Sequence, residues 1–349
     1  MKKTIPKIEA VDLFCGVGGL SYGLASAGIK VVAGIDVDPA CQYPYETNVK
    51  ATFLCQNIRD VTGSDLGKLY SKGAVKLLAG CAPCQPFSTL AKGKKNKKDE
   101  KWGLLEEFGR LVEELAPELV TMENVPRVAN HGPFKVFLAT LKKHGYKYDW
   151  DRIKCADIGV PQTRSRFVLV ASKIGDITLP VRKDPHVSVK DAIGHLPPVK
   201  AGQSAGDDPL HKARALSALN LKRIRASRPG GTWEDWPLEL RAPCHLKSNG
   251  KSFRSVYARM SWELPAPTIT TQAHNFGTGR FGHPKQDRAL TLREAAILQS
   301  FPDGYEFVPP EVDPSFSVVG RLIGNAVPPK LGEHVGQVLA RHIATLYKH

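Results

Sequence analysis

The sequence predicts an α/β fold, with a doubly wound, mostly parallel sheet and a second, smaller, loop-rich domain. Over the first 170 residues, short apolar segments alternate with amphipathic ones, and polar residues repeatedly follow the apolar segments. From 181 to 288 this alternation is lost, and prolines, glycines and irregular spacing replace it. We therefore expect a first domain formed by residues 1–180 and 289–349, and a second domain formed by residues 181–288.

Strands and helices of this alternation can be placed in order. The predicted strands are Ile8–Phe14, Val31–Ile35, Thr52–Cys55, Val75–Ala79, Leu119–Met122 and Phe167–Ala171. The segments with helical spacing are Leu20–Ala27, Leu104–Leu115, Phe134–His144, Thr291–Gln299 and Leu331–Tyr347. Ligands bind at the carboxyl ends of the strands in an open parallel sheet, so we expect the functional site where polar residues follow the strands.

The chain is strongly basic. It holds 49 Lys and Arg against 34 Asp and Glu, a formal net charge of +15. Residues 181–288 alone hold 18 Lys and Arg against 9 Asp and Glu. This balance indicates a polyanionic partner, most often nucleic acid, in contact with the smaller domain. A basic enzyme without such a partner is the alternative.

Composition also bears on location. No apolar run approaches the ~20 residues that span a bilayer, so we expect no contact with a membrane. Residues 1–10 lack the apolar core of a signal peptide, which favours a cytoplasmic location. The seven cysteines are an odd number scattered along the chain, which is typical of a reducing compartment rather than of a disulfide framework.

Cys81 and Cys84 form the single C-x-x-C motif of the sequence. No second Cys or His pair lies at zinc spacing, so we expect no metal. A redox pair of the thioredoxin type is a competing interpretation, but Pro86 disfavours the uninterrupted helix that such a pair begins. The third interpretation is a nucleophile, because six lysines between 92 and 101 follow Cys84 and favour its thiolate.

A glycine-rich turn, Phe14-Cys-Gly16-Val-Gly18-Gly19, follows the first predicted strand. Clustered glycines let a ligand approach the backbone at a helix N-terminus. Ser21 stands where a dinucleotide-binding loop would have its third glycine. Asp36 ends the second strand and can accept hydrogen bonds from a ribose. The combination favours an adenosine-type cofactor without a pyrophosphate, which S-adenosylmethionine fits, and a turn that binds no ligand is the alternative.

Two further features carry chemistry. Glu123 follows the fifth strand, and Gln162–Arg166 holds Arg164 and Arg166 at alternate positions. On an extended segment, this spacing puts both guanidinium groups on one face. From the residues alone, a solvated acid and a surface ion pair remain the alternatives.

Six motifs follow one another along the chain. They are Asp12-Leu-Phe-Cys-Gly-Val-Gly-Gly19, Gly80-Cys-Ala-Pro-Cys-Gln-Pro-Phe-Ser88, Glu123-Asn-Val125, Gln162-Thr-Arg-Ser-Arg166, Leu290-Thr-Leu-Arg-Glu-Ala-Ala-Ile-Leu-Gln-Ser-Phe-Pro302 and Gly324-Asn-Ala-Val-Pro-Pro329. With these motifs in this order, the chain resembles the bacterial-type DNA cytosine-5 methyltransferases over nearly its whole length. The resemblance implies the Rossmann-like fold of class I S-adenosylmethionine-dependent methyltransferases.

The resemblance implies a covalent reaction at a cytosine. The Cys84 thiolate adds to C6 while Glu123, as a protonated acid, hydrogen-bonds the N3 and amino edge, and C5 of the resulting enamine takes the methyl group. Arg166 matches the position that contacts the cytosine O2. The other catalytic positions are Arg164, which supports the site, Asn124, which fixes Glu123, and Pro83, which presents Cys84. Cys81 has no role in this scheme.

The resemblance also assigns cofactor contacts. Phe14 and Val37 are expected as apolar walls around the adenine, with Asp36 on the ribose. Asn57 stands where the family commonly has an acid that accepts from the adenine amino group, and its amide oxygen can still accept. The remaining implied cofactor positions are Gly16, Gly18, Gly19, Ile58, Leu105, Asn325 and Val327.

The implied partner is double-stranded DNA, from which the cytosine must be flipped out. The segment Thr89–Lys101 is expected to close over the DNA, and residues 181–288 correspond to the target-recognition domain. The expected DNA-contacting residues are Gln85, Ser88, Lys94, Lys95, Arg225, Arg228, Arg254 and Thr268. For the arginines, phosphate contacts are expected before base contacts.

The sequence therefore predicts an enzyme that transfers a methyl group from S-adenosylmethionine to C5 of cytosine in a specific duplex DNA sequence. We expect a monomer at the nucleoid that acts as the modification enzyme of a restriction system, with a cognate restriction endonuclease as a further partner. A tRNA cytosine-5 methyltransferase and a catalytically inactive DNA-binding homologue are the alternatives.

Overall fold

The computed structural model describes residues 5–83, 98–247 and 254–347, with side chains described from 103 onward in the helix that begins at Lys98. The chain divides into two compact units. Unit 1 comprises Met1–Ile158, Ser165–Lys183 and Ala326–His349, and unit 2 comprises Gly159–Arg164 and Asp184–Asn325.

Unit 1 is built on a seven-stranded sheet. Its strands are β1 (Ile8–Leu13), β2 (Lys30–Asp36), β3 (Thr52–Cys55), β4 (Val75–Gly80), β5 (Leu119–Asn124), β6 (Lys147–Lys154) and β7 (Ser165–Ser172). The strand order is β3-β2-β1-β4-β5-β7-β6. Strands β1 to β5 are parallel, whereas β7 runs antiparallel to both β5 and β6. The predicted fold class, a doubly wound and mostly parallel sheet, is confirmed.

Strand β6 is not predicted from the sequence, and its position at the edge of the sheet explains why. Of its eight residues five are charged, and only Ile153 is buried. An edge strand with this composition lacks the regular alternation of apolar and polar residues by which a strand is recognised.

The α-helices of the described residues are α1 (Gly19–Ser26), α2 (Gln42–Val49), α3 (Gly63–Gly67), α4 (Lys98–Leu115), α5 (Gly132–Lys143), α6 (Val189–Ile193), α7 (Ala218–Ala226), α8 (Leu292–Leu298), α9 (Phe316–Asn325) and α10 (Pro329–Tyr347). In unit 1, α1 and α10 approach so closely that the contact requires glycine. A Cβ atom on Gly23 would lie 2.1 Å from the carbonyl oxygen of Pro329, and one on Gly332 would lie 2.6 Å from that of Leu20. This contact fixes the C-terminal helix beside the helix that follows the glycine turn.

In its described residues, unit 2 contains α6 to α9 and short 3-10 helices, joined by turns and loops. Its interior holds an apolar cluster that includes Trp233, Trp236 and Phe276. Arg288 and Glu294 are fully buried and form a two-pronged ion pair with both N–O distances at 2.7 Å. Unit 2 therefore combines a small aromatic core with a buried charge pair.

Residues 289–325 lie in unit 2, whereas the sequence analysis assigns them to the first domain. One reason is the ion pair between Arg293 of α8 and Asp208, which ties α8 to the middle of the chain. The N–H of Arg293 also donates to the carbonyl oxygen of Leu210 at 3.0 Å. Such long-range pairing has no local signal in the sequence.

Candidate active site

The backbone between β1 and α1 turns sharply at the carboxyl edge of the sheet. Phe14, Gly16 and Gly18 have φ angles of 58°, 52° and 88°, in the left-handed region that favours glycine. The Gly16 N–H donates to Oδ2 of Asp36 at 3.0 Å, and the Asp38 N–H donates to Oδ1 at 3.0 Å. Asp36 thus ties the turn to the end of β2, and burial raises the pKa of its carboxyl group.

Asp12 is a candidate site residue to which the sequence analysis gives no role, although a quoted motif begins with it. It is buried in β1, and its Oδ2 accepts a hydrogen bond from the Ser21 hydroxyl at 2.7 Å. Within the described part of the chain, Oδ1 has no hydrogen-bond partner. Burial raises the pKa of Asp12 to about 7. A buried carboxylate oxygen with no protein partner is a place for a cationic or hydrogen-donating group of a ligand. The sequence feature that could have identified Asp12 is an acidic residue inside an otherwise apolar strand.

The structure brings some of the apolar residues expected at the cofactor together. Ile58 and Leu105 lie in one buried cluster of unit 1, and Phe14 packs against that cluster. Val37 is 62% exposed just after β2, so an apolar side chain is left uncovered at this edge of the sheet.

The three remaining cofactor candidates have different settings. Asn57 caps the short helix Ile58–Asp60, because its Oδ1 accepts a hydrogen bond from the Arg59 N–H at 3.1 Å. A carbonyl oxygen has two lone pairs, so Oδ1 retains one for a ligand. Val327 is buried in unit 1, whereas Asn325 is the last residue of unit 2.

Glu123 and Arg166 form an ion pair in unit 1. Nε of Arg166 lies 2.6 Å from Oε1 of Glu123, and the Glu123 side chain is only 4% exposed. Glu123 lies near the carboxyl end of β5, opposite Val168 of the antiparallel strand β7. Because β7 runs the other way, its first residues lie where β5 ends. The antiparallel strand therefore brings an arginine to the edge at which the parallel strands end.

Cys81 also contacts Glu123. Its thiol donates to Oε2 with an Sγ–O distance of 2.7 Å, and its own N–H donates to the carbonyl oxygen of Leu13 at 3.2 Å. The sequence analysis gives Cys81 no role and does not foresee this contact, because β4 and β5 become neighbours only in the folded sheet.

Asn124 holds backbone groups. Its Nδ2 donates to the carbonyl oxygen of Ala82 at 3.1 Å, and its Oδ1 accepts from the Val125 N–H at 2.8 Å. The expectation that Asn124 fixes Glu123 therefore needs correction. Successive side chains of a strand point to opposite faces, so Asn124 anchors the segment after β4 instead.

Arg164 and Arg166 have separate partners. Arg164 belongs to unit 2 and is buried there. Its Nε donates to Oε1 of Gln162 at 3.0 Å, and its Nη2 donates to the carbonyl oxygens of Ile269 and Gly324. The expectation that both guanidinium groups share one face of an extended segment stays a prediction, although β7 begins only after Arg164 and main-chain carbonyls of unit 2 hold the Arg164 side chain.

The predicted DNA-contacting residues of unit 2 are exposed. Thr268 directly precedes the Ile269 peptide, whose N–H donates to Oε1 of Gln162 at 3.1 Å. The three arginines pair with acids of the same unit, Arg225 with Asp287, Arg228 with Asp235 and Arg254 with Glu234. A phosphate group that binds them would compete with these carboxylates.

Several predicted residues cannot be placed. Pro83 is half-buried and is the last residue described before a gap. Cys84, Gln85, Ser88, Lys94 and Lys95 lie outside the described residues. Of the segment expected to close over DNA, the described part from Lys98 onward belongs to α4.

Two observations hold for the described ranges alone. No helix there is long and apolar enough to cross a bilayer. No group of three or more His, Cys, Asp or Glu side chains there could hold a metal ion.

The strand order with its antiparallel seventh strand, the glycine turn after β1 and the acid at the end of β2 define a class I methyltransferase fold. A solved structure of a prophage-encoded Escherichia coli protein, assigned to the DNA modification methyltransferases, shares this fold. Its TM-score is 0.75 at 23% sequence identity, and the match covers 97% of this chain and 100% of that chain.

The model of the family "C-5 cytosine-specific DNA methylase" matches residues 8–341. The chain belongs to this family, and the predicted assignment as a DNA cytosine-5 methyltransferase is confirmed. It is 47% identical over 344 residues to the type II methylase M.HgiDII of Herpetosiphon aurantiacus, covering 97% of this chain and 96% of that protein. It is 34% identical to the type II methyltransferase M1.BsuMI of Bacillus subtilis, covering 94% and 79%.

Proposed function

We propose that this enzyme transfers a methyl group from S-adenosylmethionine to C5 of a flipped-out cytosine in a specific duplex DNA sequence, through a covalent adduct between Cys84 and C6. The observation that carries the proposal is the pairing of Glu123 with Arg166 at 2.6 Å, at the sheet edge where the glycine turn also lies. A carboxyl group and a guanidinium group side by side match the amidine edge and the O2 atom of a cytosine.

The residues of unit 1 fit the cofactor. S-adenosylmethionine supplies, when bound, a methyl group on a sulfonium centre that a carbon nucleophile can attack. Asp12 has a buried oxygen with no described partner, which suits the ammonium group of an amino acid. Asp36 suits the ribose, and the cluster behind Phe14 together with Val37 offers apolar surface to an adenine. Gly16, Gly18 and Gly19 let the ligand approach the main chain.

The residues around Glu123 account for the activation of the pyrimidine ring. C5 of cytosine is a poor nucleophile, so the Cys84 thiolate first forms a bond to C6 while Glu123 gives N3 a proton. The resulting enamine attacks the methyl group through C5, the bond between the methyl carbon and the sulfonium sulfur breaks, and S-adenosylhomocysteine leaves. Loss of the C5 proton to a base then breaks the bond to Cys84, and N3 returns its proton to Glu123. Arg166 orients the ring through O2 and holds Glu123 in place.

Unit 2 is proposed to recognise DNA. The net positive charge of residues 181–288 and the exposed Arg225, Arg228 and Arg254 support contacts with the phosphate backbone. Thr268 lies on a segment that Gln162 and Arg164 hold by its main chain. A positioned loop of this kind is suited to enter the duplex.

The type II relatives support a place in a restriction–modification system, with a cognate endonuclease as partner. We further propose that the enzyme works as a cytoplasmic monomer at the nucleoid, since modification of a single base requires one active site.

Transfer of a radiolabelled methyl group from the cofactor to duplex DNA and to tRNA tests the proposal. We expect label in DNA alone, and bisulfite sequencing of that DNA should show protected cytosines in one short sequence. Label in tRNA alone would identify a tRNA methyltransferase, and label in neither would identify an inactive DNA-binding homologue.

A further inference from the structure

Glu123 has an ion-pair partner at one carboxyl oxygen and a hydrogen-bond donor at the other. Nε of Arg166 lies 2.6 Å from Oε1, and Sγ of Cys81 lies 2.7 Å from Oε2. We propose that Cys81 is a positioning residue of the methyl-transfer reaction, whose thiol donates to Glu123 and sets the rotation of its carboxyl group. This inference rests on the proposed function, in which Glu123 contacts the cytosine.

The carboxyl group of a glutamate needs such a partner, because the last torsion of its side chain has broad, shallow minima. The ion pair with Arg166 leaves rotation about that torsion available, because Oε1 accepts no hydrogen bond within the described residues. The Cys81 donor on Oε2 fixes the plane of the group, and with it the direction in which a proton on either oxygen points. The direction of this proton determines how often Glu123 and N3 of a bound cytosine are in a reactive geometry.

Cys81 is itself fixed by the strands on either side. Its N–H donates to Leu13 of β1 at 3.2 Å, and the next residue, Ala82, accepts from Asn124 of β5 at 3.1 Å. The sulfur is therefore attached to a backbone that hydrogen bonds tie to both neighbouring strands. A donor anchored in this way can set the orientation of a more flexible side chain.

A thiol suits this place because it is neutral. Arg166 already brings a positive charge to Glu123, and a second cation would bind the carboxylate so strongly that proton exchange with N3 would be impeded. A neutral S–H donor orients the group without adding charge. Arg166 thus supplies a positive charge beside Glu123, and Cys81 sets the orientation of the Glu123 carboxyl group.

The test compares Cys81→Ala, which removes the donor, with Cys81→Ser, which keeps a donor of similar size. Cys155→Ala, which removes a different thiol of unit 1, is the control. Single-turnover methylation of duplex DNA, the KM for DNA, cofactor affinity by calorimetry and thermal unfolding are measured for each.

We expect Cys81→Ala to lower the methylation rate roughly tenfold to a hundredfold, the range for loss of a hydrogen bond to a charged group. The KM for DNA and the cofactor affinity should stay within about twofold of wild type. Cys81→Ser should recover most of the rate, because its hydroxyl also donates. Cys155→Ala should keep the wild-type rate.

Three results would overturn the role. An unchanged rate in Cys81→Ala would show that Glu123 needs no donor on Oε2. Equal losses in Cys81→Ala and Cys81→Ser would indicate a packing effect of sulfur. Loss of the covalent complex with 5-fluorocytosine DNA in Cys81→Ser, together with its retention in Cys84→Ser, would make Cys81 the nucleophile. If the wild-type protein methylates no DNA, the proposed function is wrong, and the role of Cys81 is wrong with it.

Discussion

Nε of Arg166 lies 2.6 Å from Oε1 of Glu123, on strands that are neighbours in the sheet although β6 lies between them in the chain. The pair exists because β7 is inserted antiparallel beside β5. A parallel strand in that place would direct its carboxyl end, and not its amino end, to the active-site edge. The reversal of one strand therefore positions the cation that the candidate acid needs.

Arg166→Ala should lower kcat by about 100-fold or more, the usual cost of removing a positioned donor from a reacting site. It removes both the O2 contact and the partner of a buried carboxylate. Arg166→Lys should recover only part of the loss, since an ammonium group cannot form the planar fork of a guanidinium group. Steady-state methylation of duplex DNA measures both, and Arg152→Ala on the exposed face of β6 is the control. A kcat of Arg166→Ala close to that of wild type would contradict the assignment.

Cys84→Ser should abolish turnover while cofactor binding stays close to wild type. The hydroxyl group of serine is a far weaker nucleophile than a thiolate at neutral pH. DNA with 5-fluorocytosine at the target should trap wild type as a covalent complex, because fluorine cannot leave as a proton does, and should not trap the variant. Gel electrophoresis under denaturing conditions detects the covalent complex, and Cys155→Ser is the control. A trapped Cys84→Ser complex would place the nucleophile elsewhere.

Asp12→Asn should weaken cofactor binding and yet stabilise the protein at pH 8. Burial raises the pKa of Asp12 from 3.8 to about 7, so between these values the folded state binds more protons than the unfolded state. The free energy of unfolding therefore falls as pH rises through this window, by up to about 1.4 kcal/mol per pH unit. The neutral amide avoids this loss but also removes the carboxylate proposed to hold the ammonium group.

Thermal unfolding at pH 5 and pH 8, with calorimetric titration of the cofactor, checks the prediction for Asp12. The gain in stability of the variant relative to wild type should be larger at pH 8 than at pH 5, because pH 5 lies near the lower end of this window. Asp151→Asn removes an exposed carboxylate of β6 and controls for the change in net charge. Equal cofactor affinity in Asp12→Asn and wild type would exclude the proposed ammonium contact.

Gly23→Ala should destabilise unit 1 by roughly 3 kcal/mol or more, because overpacking against main-chain atoms cannot be relieved by a rotamer change. The new Cβ would lie 2.1 Å from the carbonyl oxygen of Pro329 and 2.4 Å from the N atom of Glu333. Denaturant unfolding measures the effect. Gly132→Ala, whose Cβ meets nothing within 4 Å, should change stability little.

Arg228→Gln should weaken DNA binding similarly for all sequences and reduce the slope of log K against log salt by about 1, as expected for one lost phosphate contact. Fluorescence anisotropy at several salt concentrations gives the slope. Arg341→Gln on α10 removes the same charge from unit 1 and should leave the slope nearly unchanged. Equal slopes for Arg228→Gln and wild type would show that Arg228 does not bind phosphate.

The sequence by itself determined the parallel part of the sheet, the glycine turn with Asp36, and the family. These follow from local order, since apolar segments of strand length, glycines that permit a left-handed backbone and motifs of fixed spacing are all visible along the chain.

Only the tertiary structure decided which side chains meet. It paired Cys81 and Arg166 with Glu123, turned Asn124 to the Ala82 carbonyl, and placed Arg164 among carbonyl groups of unit 2. The physical reason is that contacts between strands depend on the order and direction in which strands assemble. Spacing along one segment does not contain that information.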